Sequence, residues 1–226
     1  MNKSMPQIAP DTQDDVRAAP QTLSEKAYSA LFVMIQERHL KSGAPVVEQQ
    51  LASQIGVSRT PLRHALQRLE IEGLLRKDAN KSYVVRKVEL KEYLQSLRVR
   101  ELVEAEAAAL SVDRVDPAAI EAARANLHAV QAQKPYDMIS HWRSDDEVHD
   151  LFIRNCGNDI MINMLHSLRV TTKLFEIEKL SERLEPDSQQ HERILDALMA
   201  RDARAARRAV ATHIRSLFQF AVRAVG

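Results

Sequence analysis

Leu51-Ala52-Ser53-Gln54-Ile55-Gly56-Val57-Ser58-Arg59-Thr60-Pro61-Leu62-Arg63-His64-Ala65-Leu66-Gln67-Arg68-Leu69 is the stretch that decides how the chain is read. Leu51, Ala52 and Ile55 give a first short helix its apolar face. Gly56 ends that helix where a left-handed residue costs least. Ser58 or Thr60 can cap the next helix, and Pro61 suits its first turn, where a missing N–H has no partner to lose. Leu62, Ala65, Leu66 and Leu69 then recur at helical spacing and leave Arg59, Thr60 and Arg63 displayed at the amino-terminal end. Two short helices joined by a tight turn, with cations at the tip of the second, predict a reader of the DNA major groove.

Working outward, Leu23–Glu37 predicts a preceding helix with Ala27, Leu31, Val33 and Met34 inward. The helix pair itself spans 47–55 and 60–72, and Gly73 stops the second. Leu75–Lys77 and Tyr83–Arg86 read as short strands around a polar, basic tip, Asp78-Ala79-Asn80-Lys81-Ser82. Three helices plus a hairpin make a winged helix-turn-helix over residues 23–86. Residues 1–22, polar, proline-containing and aperiodic, predict a disordered arm. After Leu90 the helical period predicts helices at 90–111, 117–133, 138–155, 159–180, 187–200 and 202–225. The expected fold is therefore mainly α, an N-terminal winged helix-turn-helix plus a C-terminal antiparallel six-helix bundle over 90–226.

Composition narrows the class. Of 226 residues, 45% are apolar, enough for a substantial core, and 5 Gly with 8 Pro suit a helix-rich chain. The net charge of +1 conceals an asymmetry, because residues 24–86 carry ten Lys/Arg against six Asp/Glu, while residues 87–226 carry 20 against 22. A basic front and a slightly acidic back fit a DNA-binding module joined to something else. Cys156 is alone, which excludes an internal disulfide and makes a reducing, cytoplasmic location the expectation. No apolar run approaches the ~18 residues that span a bilayer, so no membrane association is expected.

The front of the chain resembles the GntR family of bacterial transcription regulators. The resemblance rests on Gly43 and Pro45, Leu51-Ala52, Gly56-Val57-Ser58-Arg59-Thr60-Pro61, Arg63, Ala65-Leu66, Leu69 and Glu72-Gly73-Leu74. The back is similar to the all-helical effector domain of the FadR-type branch, called FCD, in its shorter, VanR-like six-helix version. There the marks are Arg100 with Glu104, Asp145 with His149, Gly157-Asn158, and His191 with His213. Together the two resemblances cover residues 24–226.

The resemblance implies DNA contacts at Arg59, Thr60 and Arg63, and the chemistry agrees. Arginine offers a planar fork to guanine or phosphate, each bidentate base contact being worth roughly 1–3 kcal/mol of discrimination. Gln49 stands where some relatives carry a DNA-contacting arginine. Asn80 takes the place of a wing-tip glycine, in a residue type that tolerates the left-handed conformation, and Lys81 beside it can reach a minor-groove phosphate. With Ser58 these complete the expected DNA-facing set. His64 replaces the usual acid after the arginine, so Arg63 is expected to lack a local carboxylate. One winged helix reads few base pairs, so a homodimer on a palindromic double-stranded operator is expected.

In the bundle, Asp145 and His149 sit four apart on a face continued by Phe152 and Ile153 and begun by Trp142. His191 precedes Ile194, Leu195 and Leu198, and His213 runs with Val210, Leu217 and Phe220. Polar groups aimed at an apolar interior cost several kcal/mol without partners, and convergence on a metal would satisfy all four. Taken singly, each histidine reads more readily as an ordinary core or surface residue, and Asp145 with His149 as an exposed helix pair. The resemblance implies metal ligands at Asp145, His149, His191 and His213, with Asp146 the substitute if the register differs. That donor set suits zinc first, then nickel, manganese or iron. Arg100, and after it Arg169, are expected to hold a small organic acid effector, Arg100 alternatively closing a buried pair with Glu104. His39, His128, His141 and His166 read as surface or packing residues.

The function implied is a transcription regulator, a repressor released or retuned by that acid. Two rivals stand beside it. In one the ion itself is the signal. In the other the cluster belongs to a metal-dependent hydrolase fused to a winged helix, although no motif supplies its general base.

Overall fold

The computed structural model describes residues 22–175 and 180–225. The arm expected over residues 1–22 lies outside the described residues except for Thr22, and the helix expected at 159–180 ends earlier, at Leu174, where Phe175 turns to extended backbone. Thr22 closes a capping box with Glu25 and starts α1 (Leu23–Gln36). The helix pair follows as α2 (Glu48–Ile55) and α3 (Arg59–Ile71), one residue off the expected starts. Gly56 takes φ +73 between them, the left-handed turn that swings α3 across α2. Ser58 stands at the N-cap of α3, but its side chain makes no cap hydrogen bond. Ala27, Leu31 and Ile35 from α1 and Leu62, Leu66 and Leu69 from α3 form the core of this half.

β1 (Leu75–Lys77) and β2 (Tyr83–Val85) pair antiparallel in the register Leu75↔Val85, Arg76↔Val84, Lys77↔Tyr83. The wing corrects one expectation, because the left-handed residue is Lys81, at φ +60, and not Asn80. Asp78 is the reason: its Oδ1 accepts the backbone N–H groups of Asn80 (2.9 Å) and Ser82 (2.8 Å), which fixes the turn one residue later.

Six α-helices follow among the described residues: α4 (Leu90–Ser111), α5 (Pro117–Ala132), α6 (Met138–Ile153), α7 (Asp159–Leu174), α8 (Leu184–Met199) and α9 (Ala203–Val225). A 3₁₀ turn, Leu180–Arg183, leads into α8. Helix α8 begins three residues earlier than expected and carries Pro186 within its first turn, where no intrahelical N–H bond is lost. Helix α4 is the spine, packed most extensively on α9 and also on α6 and α7. Its buried Ala105, Ala107 and Ala108 let Ala206, Val210 and Ile214 of α9 approach closely. Among the described residues no helix is long and apolar enough to cross a membrane.

The two halves meet at the end of α1. Arg38 adopts φ +63, and its guanidinium donates to the carbonyls of Leu174 and Phe175, each at 3.3 Å, at the carboxyl end of α7. Cations favour that end of a helix. Phe175 in turn stacks on Tyr93 of α4 with ring centroids 4.5 Å apart.

Candidate functional site

Seven exposed side chains lie at or near the two-helix turn and the wing tip: Gln49, Ser58, Arg59, Thr60 and Arg63, then Asn80 and Lys81. The expectation that Arg63 lacks a carboxylate is overturned. Arg63 Nε donates to Glu48 Oε2 at 2.8 Å, because Gly56 folds the first turn of α2 beside that of α3. Arg59 Nη2 likewise donates to Gln49 Oε1 at 3.2 Å. Both arginines are thus oriented from α2 while their forks stay accessible, an arrangement that lowers the entropy lost on gripping a base or phosphate.

In the bundle, α6 supplies Asp145 and His149, α8 supplies His191 and α9 supplies His213. One donor atom from each of the four lies within 4.8 Å of the others. The imidazole centroids are 5.5 Å (His149–His191), 5.1 Å (His149–His213) and 4.6 Å (His191–His213) apart. All three rings are at most 1% exposed, yet each Nε2 has no hydrogen-bond partner. His191 Nε2 lies 3.4 Å from Asp145 Oδ1 without hydrogen-bond alignment. Three buried, unpartnered ring nitrogens beside one carboxylate are what a divalent cation satisfies, and the residues present fit such an ion.

Neighbouring groups fix the ring tautomers. His149 Nδ1 lies 2.6 Å from Glu104 Oε2, and His213 Nδ1 lies 3.0 Å from Gln190 Oε1. Both oxygens accept, so each ring carries its proton on Nδ1 and keeps the Nε2 lone pair for a ligand. Burial drives the His213 pKa well below the ordinary imidazole range, helped by His191 and His149. Burial, with Arg169, lowers His149 as well. Burial alone would raise the Asp145 pKa, but His149 and Arg169 outweigh it and hold the carboxyl well below its usual range. Neutral imidazoles and an ionised carboxylate are the forms that bind metals.

Arg100 closes the buried pair with Glu104 that was its alternative expectation, and Arg169 is engaged by two carboxylates. Arg100 is buried with Nε on Glu104 Oε1 (2.6 Å) and Nη1 on Thr172 Oγ1 (2.5 Å). Arg169 Nη2 donates to Asp145 Oδ2 and Asp146 Oδ1, both at 2.8 Å. The substitute ligand Asp146 is occupied by Arg169 and by Lys173 Nζ at 2.6 Å. Both arginines serve as counter-charges in the wall of the cluster, because α4 (Glu104) and α6 (Asp145 and Asp146) present carboxylates at the right distance to neutralise them.

A cavity of about 240 Å³ adjoins Asp145, and neither Arg100 nor Arg169 lines it. Its apolar walls are Tyr93, Met138, Trp142, Phe175, Leu180 and Leu217, and its polar walls are Arg38, His141, Asp145, Thr172 and Asp187. The buried Tyr93 hydroxyl has its pKa pushed up to about 12 by burial. His141, expected as a packing residue, bridges Tyr136 Oη (3.0 Å from Nδ1) and Asp187 Oδ2 (3.4 Å from Nε2). Asp187 is also paired with Arg183. Sequence reasoning missed His141, Asp187 and Arg38 as cavity residues. The one available signal was that His141 adjoins Trp142, four residues before the cluster's aspartate.

Comparison with known proteins agrees with this layout. Residues 23–85 match the family described as bacterial regulatory proteins, gntR family, and residues 95–216 match the FCD domain. The chain is 29% identical over 193 residues to an HTH-type transcriptional regulator of Streptomyces ambofaciens, covering 84% of this chain and 81% of that protein. It is 22% identical over 200 residues to the HTH-type transcriptional repressor RspR of Escherichia coli, covering 87% of this chain and 88% of the repressor. The fold of E. coli McbR/YncC superposes with a TM-score of 0.73 at 23% identity, over 91% of this chain and 99% of that one. With an exposed arginine-tipped α3 in one half and a helical FCD fold in the other, the chain belongs to the GntR family of DNA-binding transcription regulators, in the branch that carries an FCD domain, and not to an enzyme family.

Proposed function

We propose that residues 23–86 read a palindromic operator as part of a homodimer and that residues 90–226 sense a small organic acid. In this reading Asp145, His149, His191 and His213 hold a divalent ion, zinc first and nickel, manganese or iron after it. Such an ion supplies a Lewis-acid anchor for a carboxylate. The observation that carries the proposal is the set of three unpartnered Nε2 atoms and one carboxylate beside a cavity. That adjoining space, with six apolar walls, favours an organic effector over a signal from the ion alone. Exposed Val99, Leu102 and Leu110 on α4 support a dimer assembled through the helical half. Repression is the sense adopted, after the repressors among the relatives.

The test uses a duplex selected from a randomised pool by the full-length protein. Fluorescence anisotropy is read with metal-loaded and chelator-treated protein, with and without a panel of carboxylic acids. An effective acid is expected to change operator affinity about 5–150-fold, and only in the loaded protein. A selected duplex cut to one half-site is expected to lose binding. Equal operator affinity under every condition would remove the sensing half of the proposal.

Arg63→Ala is expected to weaken the selected duplex roughly 10–100-fold if Arg63 makes a base contact. Glu48→Gln, which removes only the orienting charge, is expected to cost less. An unchanged anisotropy curve for Arg63→Ala would take α3 out of the interface.

A further inference from the structure

The cavity beside the histidine cluster is selective by virtue of its own walls. Among the described residues six of its eleven lining side chains are apolar, three of them aromatic, and two of these, Tyr93 and Phe175, stack on each other. Among the described residues the arginines around it already have partners. Arg100 is closed by Glu104, Arg169 by Asp145 and Asp146, and Arg183 by Asp187 and by Ser216 Oγ at 2.9 Å. Arg38, which belongs to the described lining, lies on the carbonyls of Leu174 and Phe175.

Two carboxylates, Asp145 and Asp187, also line the space. A second carboxylate on the occupant would therefore enter low-dielectric surroundings next to Asp187, where the described lining offers one cation, Arg38, already held by two main-chain carbonyls. A hydroxyl fares better, because Asp187 accepts and Thr172 both donates and accepts. A polyhydroxylated acid would strand most of its groups against Met138, Trp142, Leu180 and Leu217.

We infer that the effector class is a monocarboxylate with a bulky apolar body, aromatic or alicyclic, that carries at most one or two hydroxyls. Small di- and tricarboxylates are the class it rejects. The inference rests on the reading that the carboxylate is anchored at the ion held by the cluster.

The chain's single tryptophan, Trp142, lies in the cavity wall and reports occupancy directly. Zinc-loaded full-length protein is titrated with phenylacetate, 4-hydroxyphenylacetate and cyclohexanecarboxylate, and separately with acetate, succinate and tricarballylate. Isothermal calorimetry gives affinities and Trp142 emission gives location. The ring acids are expected to bind on the order of 10–100-fold more tightly than acetate and to shift the emission. Succinate and tricarballylate are expected to bind no more tightly than acetate. The inference is overturned if either polyacid binds most tightly, if the ring acids show no advantage, or if no acid moves the emission. Chelator-treated protein separates the two levels. Ring acids that bind it undiminished support the apolar-body class and overturn the metal anchor. A polyacid that binds tightly, and only when zinc is present, supports the anchor and overturns the class.

Discussion

Glu104→Ala is expected to destabilise the protein by about 3–5 kcal/mol, the range for stripping one partner from a buried ionic network. Glu104 is fully buried and receives Arg100 Nε and His149 Nδ1, each at 2.6 Å, with Arg169 Nη1 at 3.9 Å. Burial works against its ionisation, yet Arg100 and His149 hold its pKa far below the usual carboxylate range. Alanine would leave two guanidinium groups in the core around one missing charge. It would also free the His149 ring, and loss of such an orienting partner lowers metal affinity by about 10–100-fold. Urea unfolding of the chelator-treated protein reads the first effect, and zinc titration reads the second. Glu104→Gln keeps the shape and an acceptor for His149, so it is expected to spare metal affinity more than stability. A loss below about 1 kcal/mol for the alanine variant would mean the network is solvated, contrary to its burial.

Zinc added to chelator-treated protein is expected to raise the thermal midpoint strongly. At free metal 1,000 times the dissociation constant, binding to the folded state alone contributes about 4 kcal/mol. For a chain of this length each kcal/mol moves the midpoint about 2–4 °C, so a rise on the order of 10 °C is expected by differential scanning fluorimetry. His191→Ala and His213→Ala are expected to abolish most of the rise. The metal-free protein should also lose stability as pH falls through the ordinary histidine value of 6.5, because His149 and His213 bind protons less readily folded than unfolded. A midpoint indifferent to zinc would count against the cluster as a metal centre.

The fold was largely legible because its signals are local. Gly56, Pro61 and the leucine spacing of α3 need only their neighbours to be interpreted, and they place the reader within a residue or two. The cluster residues were legible through the family resemblance: the apolar stripes say which way the histidines face, but singly each reads as an ordinary core residue. What escaped were relations between distant segments. Arg169 looks like a ligand clamp until Asp145 and Asp146 are seen to claim it. Arg63 looks unsupported until Glu48 folds back on it. Asp187 and Arg38 carry no signature at all, because a cavity wall is assembled from side chains with no common spacing.

Arg38 belongs to the segment that follows α1, yet it forms part of the boundary of a space otherwise built by the helical half. Whatever fills that space is touching the DNA-reading module itself. In the proposed reading no long relay of packed side chains is needed, because Arg38 belongs to both the cavity wall and the DNA-reading half. Descendants of such a chain can exchange one chemical cue for another by repainting Met138, Leu180 or Leu217, while the wiring to the operator stays as it was.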